Sequence, residues 1–193
     1  MVEGMILRHG TARRTAAFIL TAITSAPFAA PVTAPAATST PRVQRALFAV
    51  TALLLGFTPA TLTFALNPHA ADDIGLTAVP IPAWGFIAVW LVIYPGMGLA
   101  AWHLWRQRTH NDPDHARVPL AVLTAGFLQT TTFWFNDSLR GIAGMDAAGV
   151  VMSATTLWVI SRSSPAAARW LLPWAVWMPI TLAIKLAVLT GIS

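Results

Sequence analysis

The chain has 193 residues, of which 10% are charged and 56% hydrophobic, and its mean hydropathy is +0.64. A soluble domain carries about 25% charged residues, so there is too little charge here to coat a water-facing surface, and most of the chain is too apolar to be disordered. Cysteine is absent, which excludes disulfides, thiolate metal sites, iron–sulfur clusters and a cysteine nucleophile.

The net charge of +5 rests on eleven arginines and one lysine. Nucleic acid is not the expected partner, because membrane topology accounts for where the arginines lie. The arginine- and alanine-rich composition points to a high-GC bacterial genome.

Residues 1–45 form an extension that resists a single reading. Arg8, Arg13 and Arg14 precede an apolar run at 16–23, followed by Pro- and Ala-rich sequence with small residues near Ala29 and Ala30. That order resembles a secretory signal. Arg42 and Arg45 argue against export of the segment that carries them, so a disordered or surface-lying extension, or an over-long start, is preferred. The membrane domain is expected over 46–193.

Four uncharged stretches lie beyond it, at 46–66, 83–105, 118–135 and 170–184, the last continuing past Lys185 to 190. A fifth, at 141–160, is interrupted only by Asp146. Each is near the roughly 20 residues a helix needs to cross the hydrocarbon core. Pro59, Pro95, Pro173 and Pro179 lie inside these runs and are tolerable where neighbouring helices satisfy the freed carbonyls. The expectation is an all-α integral membrane protein, a five-transmembrane-helix bundle.

Arg42, Arg45, Arg106, Arg108, Arg117, Arg162 and Arg169 fall on one side of such a bundle, and Arg140 alone falls in a loop on the other. The positive-inside rule then puts the N-terminus in the cytoplasm and the C-terminus outside. A bacterial cytoplasmic membrane is the expected location. Asp137 and Arg140 are expected to cap the outer end of the third span.

Nine tryptophans punctuate the spans. At helical spacing Trp90, Tyr94, Met97, Ala101 and Trp105 share one face, as do Trp170, Trp174, Trp177, Thr181 and Lys185. Trp102, Trp105 and Trp170 suit an interfacial belt, since indole prefers headgroup depth. Trp90, Tyr94, Trp174 and Trp177 lie deeper and divide evenly between core packing and a ligand site. His110, Asp112, Asp114 and His115 read as a solvated turn rather than a metal site. No metal site, phosphate-binding loop, HExxH or G-x-S-x-G pattern is present in the sequence.

Pro80, Pro82, Trp84, Phe86, Val89, Trp90, Tyr94, Met97, Gly98, Trp105 and Arg106 stand in the order and spacing of a known signature. Val118-Pro119-Leu120 and SPAAARWLLPWAVW, beginning at Ser164, add two further matches. On these motifs the chain resembles the translocator protein/tryptophan-rich sensory protein (TspO/MBR) family. It departs from that family in four places. There is no tryptophan between Leu76 and Pro82, and Gln129–Thr132 stands where an L-N-x-x-W core is usual. The aspartate usual in the fourth span is either slightly displaced, as Asp146, or replaced, and Lys185 occupies the place of an asparagine. The sole tyrosine, Tyr94, has no Lys or Arg at cholesterol-motif spacing, so steroid binding is not supported.

The resemblance implies a bundle that binds porphyrin, haem or another flat apolar ligand between helices, under the first loop, with no cofactor required. It implies a receptor, carrier or regulator in the lipid bilayer, and a homodimer. The implied ligand-binding residues are Trp84, Trp90, Tyr94, Trp177 and Thr181, with Phe133 or Trp134 from the third span. Lys185 is the candidate partner for a ligand carboxylate. Snorkelling to the interface and a pair with Asp146 are its alternatives. No catalytic acid or base is evident. If the protein instead consumes porphyrin by light-dependent oxidation, Trp90 and Trp177 are the residues implied. A small structural subunit with a degenerate site is the remaining reading.

Overall fold

The structure is a computed structural model that describes residues 40–73, 75–107, 114–132 and 136–191, with the backbone alone for 114–116. It is all-helical, and five long helices carry it. These are α1 (Pro41–Leu66), α3 (Ala83–Gln107), α4 (Asp114–Thr131), α5 (Leu139–Ser163) and α6 (Pro165–Thr190). The first loop holds a one-turn helix, α2 (Ala70–Asp73), and a 3₁₀ turn at Leu76–Ala78.

The helices begin and end where local chemistry dictates. Pro41 opens α1, where its missing N–H costs nothing. The helix thus starts five residues before the apolar stretch and takes Arg42 and Arg45 into its first turns. Ser138 and Ser164 cap α5 and α6, their hydroxyls accepting from the backbone N–H of Gly141 and Ala167. Gly191, at φ 71°, closes α6 in the left-handed conformation that glycine adopts freely. Asp137 and Arg140 flank the start of α5, and the extended Ser138 fixes where that helix begins. Helical structure runs uninterrupted through Pro59, Pro95, Pro119, Pro173 and Pro179.

Four of the long helices have the length and apolarity to cross a membrane. The exception is α4, which is 18 residues long and carries Asp114, His115 and Arg117 in its opening turn. It is a full member of the bundle, packing against α5, α3 and α1. The other principal contacts are α6 with α5 and α3, and α3 with α1. The exterior is apolar as well as the core, and several polar groups lie inside. Leu47, Leu54, Leu55, Val151, Trp158 and Val176 point outward, while Ser153, Thr156, Thr181, Asp146 and Lys185 are buried. Lipid imposes that pattern, since it rewards an apolar exterior and leaves polar groups to find partners within the protein.

Close backbone approach holds α3 at the centre. A Cβ on Gly98 would lie 2.3 Å from the Phe48 carbonyl oxygen of α1, and one on Gly96 would lie 2.6 Å from that of Trp170 on α6. Small residues at such crossings are the common solution where no hydrophobic effect drives helices together. At the end of the bundle where α1 begins, the Arg45 guanidinium lies 5.6 Å from the Trp102 ring centroid and 5.9 Å from that of Trp170. Arg106 lies 5.0 Å from Trp102, and Arg162 lies 4.0 Å from Trp158. Trp105 and Trp170 are partly exposed, as an interfacial belt requires. Trp102 differs from that expectation and is buried, with the two guanidinium groups over its ring.

Replacing Gly98 by Ala should lower thermal stability in detergent by the equivalent of about 1–3 kcal/mol, the usual range for overpacking. Gly144→Ala, where an added Cβ meets nothing within 4 Å, should be neutral or slightly stabilising. Parallel melting curves of the two variants check the pair.

Candidate functional site

Away from the arginine-bearing end, the helices diverge around a cavity of about 700 Å³. Its walls come from the second half of α1, the first half of α3, Thr130 on α4, Asp146 on α5, and Trp177, Thr181 and Lys185 on α6. The first loop roofs it with Ala71, Leu76, Thr77 and the run from Val79 to Pro82. That loop is shaped locally. The Asn67 side-chain amide donates to Asp73 at 2.7 Å, while the Asn67 side-chain oxygen accepts from the His69 backbone at 3.0 Å. Among its described residues, Ala70 and Val79 are buried.

Two stripes of three residues each, spaced by four, line the cavity, Phe86, Trp90 and Tyr94 from α3 and Trp177, Thr181 and Lys185 from α6. Spacing of four is what brings side chains onto one helix face. Phe86 meets Trp177 edge-on, with centroids 5.8 Å apart, and Trp90 stacks on Tyr94 at 4.8 Å. Phe57 of α1 contacts Tyr94 edge-on at 5.5 Å. Such pairs contribute about 0.5–1.5 kcal/mol each beyond their area. The Tyr94 ring sits directly on Gly56, where a Cβ would come within 2.5 Å of it. Thr130, whose hydroxyl donates to the Phe127 carbonyl at 2.7 Å, also lines the cavity.

The polar part of the wall is an ion pair. Lys185 donates from Nζ to Asp146 Oδ2, joining α6 to α5. Both are buried, at 1% and 3% exposure. The Lys185 ammonium also lies 6.0 Å from the Phe86 ring centroid. Lys185 therefore does not snorkel, because a buried carboxylate on the neighbouring helix holds it inside the bundle.

The structure brings Trp90, Tyr94, Trp177, Thr181 and Lys185 together on one cavity. Trp84 is not part of it. Trp84 is 73% exposed in the first turn of α3 and projects outward, where an indole at a helix end suits the headgroup layer. Phe133 and Trp134 lie outside the described residues, as does most of the His110–His115 turn. Trp174, on the same sequence stripe as Trp177, is 1% exposed and faces Gly126 of α4 and not the cavity.

Sequence reasoning missed Phe86, Phe57 and Gly56 as lining residues, while the resemblance had already put the first loop over the site. Phe86 carried a usable signal, four residues before Trp90 on the same stripe. The contribution of α1 carried none. Gln129, at the altered third-span core, donates to the Met145 carbonyl at 2.8 Å. A second, smaller hollow of about 350 Å³ between α1, α3 and α4 has no charged lining residue.

Fold and site together define a multi-pass helical membrane protein with an aromatic cavity between its helices. The chain belongs to the TspO/MBR family, whose sequence profile matches residues 47–190. No solved structure matches the chain. The match begins in the second turn of α1 and ends with α6, so it spans all five long helices and the roof.

Lys185→Met and Asp146→Asn should each cost about 3–5 kcal/mol, the usual consequence of leaving one buried charge without its partner. The double variant should recover most of that loss. A double-mutant cycle by thermal unfolding in detergent checks it, and additive losses would show that the pair is not coupled.

Proposed function

We propose that the protein binds a flat, apolar, tetrapyrrole-like ligand in the cavity beneath the first loop and serves as a receptor, carrier or regulator. The supporting observation is the cavity itself. Its volume falls in the roughly 300–1,000 Å³ range of small-molecule sites, and its apolar lining surrounds a few convergent polar groups. A planar π-system has Phe86, Trp90, Tyr94 and Trp177 to pack against, while Lys185 supplies a cation for a carboxylate. Porphyrin or haem fits that chemistry. Binding needs no resident cofactor and no catalytic acid or base. The protein resides in a bacterial cytoplasmic membrane with its N-terminus inside, and a second copy of the chain is its expected partner.

A light-dependent oxidation of the bound porphyrin is the second reading, favoured by one observation. Trp90 and Trp177 line the same cavity from opposite helices.

Titration with protoporphyrin IX in the dark, followed by the porphyrin absorbance band, should show saturable binding. Trp90→Phe/Trp177→Phe should weaken it about tenfold, from the loss of two ring contacts. Absence of saturable binding would leave a structural subunit as the better description. Illumination of the complex separates the two readings, since only an oxidase forms product that the double variant fails to form.

Orientation has its own test, because the chain contains no cysteine. Ala78→Cys, on the roof, should react with a membrane-impermeant maleimide in intact cells. Ala166→Cys, at the start of α6, should react only after the membrane is opened.

A further inference from the structure

We propose that a ligand carboxylate enters this cavity together with one proton, which is taken up by Asp146 as the carboxylate replaces it at Lys185. The inference rests on the binding reading above and adds the charge rule that the site imposes. In the structure Lys185 is paired with Asp146, which balances its charge. A carboxylate added to that pair would leave a net negative charge inside an aromatic wall and beneath an apolar roof. Low-polarity surroundings penalise an uncompensated charge far more than a neutral pair. Protonation of the Asp146 carboxylate restores neutrality. One O–H bond forms on Asp146, with the proton drawn from water, and no covalent bond to the ligand is made. The Lys185 ammonium then donates to the ligand carboxylate instead of to Asp146. Whether the ligand arrives as the acid or as the anion, the balance is the same, one proton taken up per carboxylate ion removed from water.

The described surroundings leave this exchange to the pair. Tyr94, from α3, is the other titratable side chain lining the cavity. The cavity-lining parts of α1 and α4 are Gly56, Phe57, Ala60, Thr61, Phe64 and Thr130, none of them titratable near neutrality. Asp137 and Arg140 at the head of α5 are exposed, as are His69, Asp72 and Asp73 on the roof loop. Phe86 lies 6.0 Å from the Lys185 ammonium and meets Trp177 edge-on, so that a carboxylate reaching Lys185 brings its ring system toward these aromatic rings.

The test uses the full chain in lipid nanodiscs and two probes, a porphyrin bearing one propionate and its methyl ester. The propionate is ionised throughout a window of about two pH units around neutrality. The acid should bind about tenfold more weakly for each unit the pH rises. A dye in weakly buffered solution should record one proton taken up per porphyrin bound. The ester should bind without pH dependence or proton uptake. Asp146→Asn lets Lys185 take the anion directly, so its affinity for the acid should lose the pH dependence and exceed wild type at the alkaline end. Acid binding without proton uptake by the wild-type protein would overturn the inference while leaving the binding reading intact, and so would equal slopes for acid and ester. Failure of both probes to bind would overturn both. The proton count needs no variant, so it decides the matter even if Asp146→Asn does not fold.

Discussion

A carboxylate and an ammonium group placed in hydrocarbon have to meet, because neither can be left alone there. Asp146 and Lys185 do meet, thirty-nine residues apart, and much of the bundle depends on their pairing. The pair links α5 to α6, and the rotation of α6 that serves it also turns Thr181 and Trp177 toward the same space. Trp174, nearly a turn before Trp177, is thereby directed to the α4 side, against Gly126. The wall of the cavity and the packing of the core are thus two consequences of how one helix is rotated.

The opposite wall depends on how near the helices can come. Gly98 admits the backbone of α1 and Gly96 that of α6, so α3 is gripped from two directions in its middle. Beyond the α1 crossing Phe57 and Gly56 receive the Tyr94 ring, and from there the cavity opens toward the first loop. At the other end Arg45 and Arg106 lie over Trp102. A rigid, tightly crossed centre with one aromatic and polar hollow is a natural arrangement for holding a rigid planar guest. On the proposed reading, the charge pair in the wall is what would tell one guest from another.

The places where sequence reasoning and structure diverge are informative. Trp84 stood in the family signature with Phe86, only two positions away along the chain, yet they face nearly opposite ways on a helix. One meets the exterior and the other Trp177. Lys185 sat near a helix end, where an exposed lysine is the common outcome. The presence of a buried acid on α5 decided otherwise. Periodicity gives each helix a face, but it does not say which neighbour that face will meet.

The sequence by itself determined the class of the protein, its five long helices, the end at which the arginines gather and the family to which it belongs. These come from composition, run length and ordered motifs, all of which are local properties of the chain. Only the tertiary structure decided that α1 completes the cavity, that Trp174 leaves it, and that Asp146 and Lys185 form its charged wall. Each of those depends on the rotation and separation of helices distant in sequence. Rotation and separation are set by packing between helices, so no single segment carries them.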